Sequence, residues 1–183
     1  VAGHGVGPAL ITSSARSRLR SLKDYHSNAA ELLDAVNRGL CEDTGLSRFI
    51  TLFLAICDPL TGIVNWSSAG HTALFISPDG EVTDLTACGL PMGVVDDAEF
   101  DQGKSVQLVA GATLVVLTDG FSESHNENRE MFGERQVAET LVKLRHRSAN
   151  EIADELINDV DRFRGSKSPD DDLTIVIAKL RME

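Results

Sequence analysis

The chain has 183 residues, 42% of them hydrophobic and only 5% aromatic, so it can bury one mainly aliphatic core, and a single domain over 1–183 is expected. Its net charge of −11 gives neither the basic footprint that nucleic acid requires nor a basic handle for anionic lipid. No apolar run reaches the roughly 18 residues of a membrane span and no secretory leader opens the chain, while Cys41, Cys57 and Cys88 form no Cys-x-x-Cys pair; reduced thiols in a cytoplasmic protein are expected.

The chain begins on a glycine-rich turn, Val1-Ala2-Gly3-His4-Gly5-Val6-Gly7, with no strand leading into it. Pro8 suits the first turn of a helix. Leu10, Ile11, Ala15, Leu19 and Leu22 then recur at helical spacing, which predicts a helix over 8–22 with Arg16, Arg18 and Arg20 mostly outward. After a connector at 25–27, Asn28 with Glu31 fits a capping box, and Leu32, Leu33, Val36 and Leu40 form the apolar stripe of a second helix. Residues 42–47 read as a loop.

From residue 49 the period changes. Strands over 49–57 and 63–67, joined by Asp58-Pro59-Leu60-Thr61-Gly62, predict one hairpin. Strands over 73–76 and 81–85, joined by Ser77-Pro78-Asp79-Gly80, predict a second, and 104–108 with 113–117 around Gly111 a third. Gly89-Leu90-Pro91-Met92-Gly93 reads as an irregular loop and 122–130 as a polar, mobile segment. Val137, Leu141 and Leu144 predict one further helix; Ile152, Leu156, Ile157 and Val160 predict another, entered through Ser148 or Asn150. A last strand over 173–178 follows Pro169. Helices near both ends with antiparallel strands between them predict an α+β layered sandwich.

Two strand ends carry the chemistry. The β-branched run 113–117 stops at Thr118-Asp119-Gly120, where a glycine allows the tight turn that holds a carboxylate in a cleft. Asp170, Asp171 and Asp172 stand directly before the last strand. Carboxylates on separate strand ends suit a hard divalent cation such as Mg²⁺ or Mn²⁺. The plainer reading is that Asp119 fills a turn and 170–172 form a solvated loop or cap, and the residues alone leave both open. His4 either positions water or phosphate or is held by local backbone. His71 holds its loop by hydrogen bonds, His125 is solvated, Asp172 caps the turn or supports the neighbouring ligand, and Phe132-Gly133 is packing. Cys57 and Cys88 have no catalytic duty, since no His or acid accompanies them in sequence.

The order of motifs resembles that of the bacterial PPM-type (type 2C-like) serine/threonine phosphatases, in the branch of the sporulation stage II E phosphatase and the phosphatases that regulate sigma factors. Val1-Ala2-Gly3-His4-Gly5 is similar to the end of that family's Asp-Val-Ser-Gly-His-Gly element. The strand before Asp58 with Thr61-Gly62, then Ala69-Gly70-His71 and Gly89-Leu90-Pro91-Met92-Gly93, are similar to recurring segments of the branch. Leu117-Thr118-Asp119-Gly120 and Asp171-Asp172-Leu173-Thr174 are similar to its two later metal motifs.

The resemblance implies an αββα sandwich of two mostly antiparallel sheets flanked by helices, holding two Mn²⁺ or Mg²⁺ ions. It implies hydrolysis of phosphoserine or phosphothreonine by a water bridging the two ions, without a phosphoenzyme. By position, Asp119 and Asp171 would be the catalytic metal ligands, Val1 would offer its backbone carbonyl oxygen, and Gly120 would aim Asp119. The aspartate expected before Val1 and the upstream strand carrying a further ligand are not in this sequence, and Ala2 replaces the usual Ser. The chain is therefore expected to be N-terminally incomplete, to bind metal weakly or not at all by itself, and to carry an unpaired sheet edge that favours a homodimer or aggregation. The implied substrate is a phosphorylated bacterial signalling protein such as an anti-sigma-factor antagonist, and the implied setting is downstream of a sensor or receiver region. The alternative is a phosphatase-fold module that binds a partner protein without catalysis.

Overall fold

The computed structural model describes residues 1, 3, 5–24, 28–44, 48–86 and 89–180. The expectations for Ala2, His4, the connector at 25–27 and Cys88 lie outside the described residues. In chain order the elements are α1 (Val6–Leu22), α2 (Ala29–Thr44), β1 (Leu52–Cys57), β2 (Ile63–Ala69), β3 (Ala73–Ile76), β4 (Val82–Leu85), β5 (Val106–Gln107), β6 (Thr113–Leu117), α3 (Glu134–Leu144), α4 (Ala149–Arg164) and β7 (Ile175–Ala178). Among the described residues this is an α+β fold of four helices and two antiparallel sheets, as expected, and no helix is long and apolar enough to cross a membrane. The chain forms two compact units, Val1–Thr72 with Leu85–Gln107, and Ala73–Asp84 with Leu108–Glu183.

In the first unit α2 is the organising element. Asn28 Oδ1 accepts the Glu31 N–H at 2.8 Å and starts the helix. Its stripe of Leu32, Leu33, Val36 and Leu40 is buried with Ala15 of α1 and with Ile50, Ala69, Met92 and Phe100. The polar side chains of the same helix pin the irregular loop. Asn37 donates to the Val95 carbonyl at 2.7 Å and accepts from the Gly93 N–H at 2.8 Å, while Asp34 accepts from the Phe100 N–H at 2.9 Å. Gly93 has φ 87°, and a Cβ there would lie 2.6 Å from the Arg48 carbonyl oxygen, so only glycine suits the position. Arg18 does not point freely outward as expected: it pairs with Asp43 at 2.8 Å and lies over Gly39, where a Cβ would come within 2.1 Å of its guanidinium. The sheet of this unit has the order β1-β2-β5.

The second unit holds the sheet β4-β3-β6-β7 with α3 and α4. Its core joins Ile76 and Val115 to Phe121, Phe132, Val137, Leu141, Ile152, Leu156 and Val160. Phe132 packs edge-on to Phe163, as its reading as a packing residue expects. Of the two entry points predicted for α4, Ser148 is the one used. Its hydroxyl accepts the Glu151 N–H, and the Glu151 carboxylate accepts the Ser148 N–H at 2.9 Å, a complete capping box.

The third predicted hairpin does not form. β5 pairs with β2 (Ile63↔Gln107, Val64↔Val106), whereas β6 pairs with β3 and β7. Ala112 N–H bonds the Val109 carbonyl at 3.0 Å and Gly111 takes φ 89°, so the chain does turn where predicted. A turn fixes only that the chain changes direction. Which strand each side joins is decided by burial: Thr113, Leu114 and Val115 are all buried, and Val115 belongs to the second core.

Candidate active site

The register of β6 and β7 dictates the site. They run antiparallel, from Leu114↔Ala178 to Leu117↔Ile175, so the residues following β6 must lie beside those preceding β7. Thr118 continues the ladder beyond the strands. Its N–H donates to the Thr174 carbonyl at 3.0 Å, its hydroxyl donates to the Asp172 carbonyl at 3.1 Å, and the same hydroxyl accepts the Thr174 N–H at 3.0 Å. Gly120 closes the fit: it is buried, and a Cβ there would sit 2.6 Å from the Asp172 carbonyl oxygen. Leu117-Thr118-Asp119-Gly120 and Asp171-Asp172-Leu173-Thr174 are thus two halves of one hydrogen-bonded structure.

The carboxylates are what this structure leaves over. The Asp119 turn is closed by backbone, the Asp119 carbonyl accepting from the Glu123 N–H at 2.8 Å and from the Ser122 hydroxyl at 3.2 Å. Ser124 adds a buried hydrogen bond to the Gly120 carbonyl at 2.7 Å. Asp119 is exposed, and its carboxylate has no hydrogen-bond or ion-pair partner among the described residues. Asp171 spends one oxygen on the Asp172 N–H at 2.7 Å. Asp172 supports the turn through its backbone, donating to Asp171 and accepting from Thr118.

Asp171 and Gly120 line a cleft of about 420 Å³ together with Glu123, His125, Arg129, Lys167 and Asp170. Asp170 receives Lys167 Nζ at 3.0 Å and lies 3.2 Å from His125 Nδ1; the Lys167 hydrogen bond, then the Lys167 charge and the His125 contact, hold its carboxyl below the usual range. His125 is therefore partnered and partly buried, not solvated as expected, because Asp170, forty-five positions away, folds back onto it. The polar segment 122–130 is tied by hydrogen bonds. Asn126 accepts from the Asn128 N–H at 2.9 Å and the Glu130 N–H at 3.0 Å, Phe132 N–H bonds the Ser124 carbonyl at 2.9 Å, and Ser166 ties Glu127 at 2.6 Å. Asn126 in the middle of the segment is a local turn signal; Ser166 and Asp170, which return to it, are far along the chain.

The remaining expectations divide. Asp119 and Asp171 belong to one unit and their turns are interlocked; Val1, exposed, belongs to the other unit. His71 is held by its loop, its N–H donating to the Ser68 hydroxyl at 3.0 Å while that hydroxyl donates to the His71 carbonyl. Cys41 is buried and Cys57 exposed. The oxygen donors of Asp119 and Asp171 suit a hard divalent cation by chemistry. Among the described residues no group of three or more His, Cys, Asp or Glu side chains could hold a metal ion.

Known proteins agree with this architecture. Stage II sporulation protein E of Priestia megaterium is 33% identical over 151 residues, 81% of this chain and 25% of that protein. Phosphoserine phosphatase RsbU of Bacillus subtilis is 28% identical over 182 residues, 98% of this chain and 53% of RsbU. The chain thus spans between about a quarter and about half the length of these curated relatives. In fold it is similar to the SiaA PP2C domain of Pseudomonas aeruginosa, with TM-score 0.85 at 23% identity, covering 98% of this chain and 73% of that one. It is also similar to the catalytic domain of the serine/threonine phosphatase PstP solved with two manganese ions, with TM-score 0.64 at 15% identity, covering 92% of this chain and 80% of that one. The match to the Stage II sporulation protein E (SpoIIE) family runs over residues 1–181, and the chain belongs to that family.

Proposed function

We infer that the chain is the phosphatase domain of a bacterial signalling protein, a single catalytic module over 1–183 that hydrolyses phosphoserine or phosphothreonine on a protein substrate. The observation that carries this reading is the interlocking of the Asp119 and Asp171 turns through Thr118 and Gly120, which leaves the Asp119 carboxylate and one Asp171 oxygen uncommitted. Family membership, a relative named phosphoserine phosphatase and a fold neighbour holding manganese all support it. Two Mn²⁺ or Mg²⁺ ions would supply a bridging water as nucleophile and offset phosphoryl charge. Asp119 and Asp171 would hold them by oxygen. Gly120 keeps Asp119 in place by allowing the Asp172 backbone its close approach.

The substrate we assign is a phosphorylated regulator of the anti-sigma-factor antagonist kind, met in the cytoplasm and downstream of a sensor or receiver region. β1 is an edge strand, and Ile56 on it is 39% exposed, which supports a homodimer through that edge. The test is phosphate release from a phosphoserine protein with and without Mn²⁺. It is run on the 183-residue chain and on that chain with any natural sequence preceding Val1. Mn²⁺-dependent release that Asp119→Asn removes supports the reading. No release from either folded protein leaves the non-catalytic partner-binding module in its place.

A further inference from the structure

One residue lining the cleft, Arg129, has no part in the reading above. It shares that lining with Gly120 and Asp171, and its guanidinium has no hydrogen-bond or ion-pair partner among the described residues. The neighbouring cations differ, since Lys167 and His125 both lean on Asp170. Arg129 is therefore the cation of this cleft whose charge is unanswered.

Its backbone points the same way. Arg129 has φ 65°, and among the described residues it is the non-glycine with positive φ. Glycine or asparagine takes that conformation at less cost. The loop enforces it: Arg129 N–H bonds the Asn126 carbonyl at 3.0 Å, and Asn126 N–H bonds the Glu130 carbonyl at 3.0 Å. The turn is closed by backbone groups, that of Arg129 included, and by the Asn126 side chain, so the Arg129 guanidinium takes no part in closing it. The surroundings give that side chain a task. The chain carries a net charge of −11, and Glu123 and Asp171 open on the same cleft, so an anionic substrate meets repulsion unless a cation answers it.

We propose that Arg129 is the substrate-positioning residue of this cleft, its guanidinium fork binding an oxyanion of the phosphoprotein. This rests on the phosphatase reading for the nature of the substrate. The oxyanion is either the phosphoryl group or an acidic side chain beside the phosphorylated residue, two sources with the same paired-oxygen chemistry.

Fluorescence anisotropy of labelled peptides against the 183-residue chain tests this whether or not the chain is catalytic. One peptide carries phosphoserine between alanines, a second carries phosphoserine between aspartates, and a third carries unphosphorylated serine between aspartates. Arg129→Gly removes the cation while suiting the backbone, so its melting temperature should hold or rise. Its affinity should fall about tenfold, the effect of one charge-assisted contact, with a shallower salt dependence. Arg129→Lys, keeping charge without the fork, should recover part of the loss. Loss on both phosphopeptides assigns the phosphoryl group; loss confined to the aspartate-flanked peptides assigns the flanking carboxylate. Equal affinity of wild type and Arg129→Gly for all three overturns the proposal, as does the same loss on Arg135→Ala, an exposed arginine of α3 paired with Glu139. If the folded protein, with any preceding natural sequence, releases no phosphate yet the Arg129 effect is present, the phosphatase reading fails and the oxyanion site stands.

Discussion

Two strand-end aspartates follow the same sequence pattern and meet different fates. Asp58 directly follows β1 and Asp119 follows β6; each comes after an apolar strand and stands at a turn containing glycine. The Asp58 carboxylate is consumed by its own turn, accepting the Leu60 N–H at 2.9 Å and the Thr61 hydroxyl at 2.8 Å. At Asp119 the backbone carbonyl does that work, through Glu123 and Ser122, and the carboxylate is left unspent. Backbone bonds close both turns, the Gly62 N–H donating to the Asp58 carbonyl at 2.8 Å as the Glu123 N–H does at Asp119; an aspartate is left available to a ligand where its carboxylate is not spent in addition. Thr118 makes the difference: its hydroxyl bonds the facing strand, so the turn does not need Asp119 as its cap.

The largest expected effect comes from exchanging the roles. Asp119→Asn should abolish Mn²⁺-dependent phosphate release while leaving thermal stability unchanged, because the Asp119 carboxylate holds no hydrogen bond or ion pair among the described residues. Asp58→Ala should do the reverse, keeping activity and lowering Tm, as paired activity assays and melts would show. Gly120→Ala should damage both properties. Its methyl group would meet the Asp172 carbonyl at 2.6 Å and force the two turns apart, costing about 1–3 kcal/mol in urea unfolding together with activity. A smaller effect separates the two aspartates by pH. The Leu60 N–H first, then the Thr61 hydroxyl, hold the Asp58 carboxyl below its ordinary value of 3.8. A depressed folded-state value gives stability that is present above the ordinary value and lost as pH falls through the folded one. The stability gap to Asp58→Ala should therefore be full at neutral pH and narrow below about pH 4. A gap that widens on acidification would contradict this. The smallest change concerns a cap: Ser148→Ala should cost about 1 kcal/mol by breaking the capping box of α4, with activity unchanged.

Much of this was legible in the sequence because it is local. The helix stripes, the Asn28 and Ser148 caps and the first two hairpins depend on residues a few positions apart, and periodicity reports them directly. Asp119 and Asp171 were legible as strand-end acids, and antiparallel register then brings their turns together. What escaped depends on distant pairing. The turn around Gly111 reads as a hairpin, but burial sends Val106 to β2 and Val115 to a different sheet. His125 reads as solvated because Asp170 and Lys167 are far along the chain. The role of Thr118 was hidden for the same reason, since a threonine at a strand end looks like strand until its partner, Thr174, is known.

The most direct test of the unspent carboxylate is phosphate release from a phosphoserine protein in Mn²⁺, comparing Asp119→Asn with Asp58→Ala in the same background, with any natural sequence before Val1 included. The account predicts release that survives Asp58→Ala and disappears in a fully folded Asp119→Asn protein. Release undiminished by Asp119→Asn would contradict it.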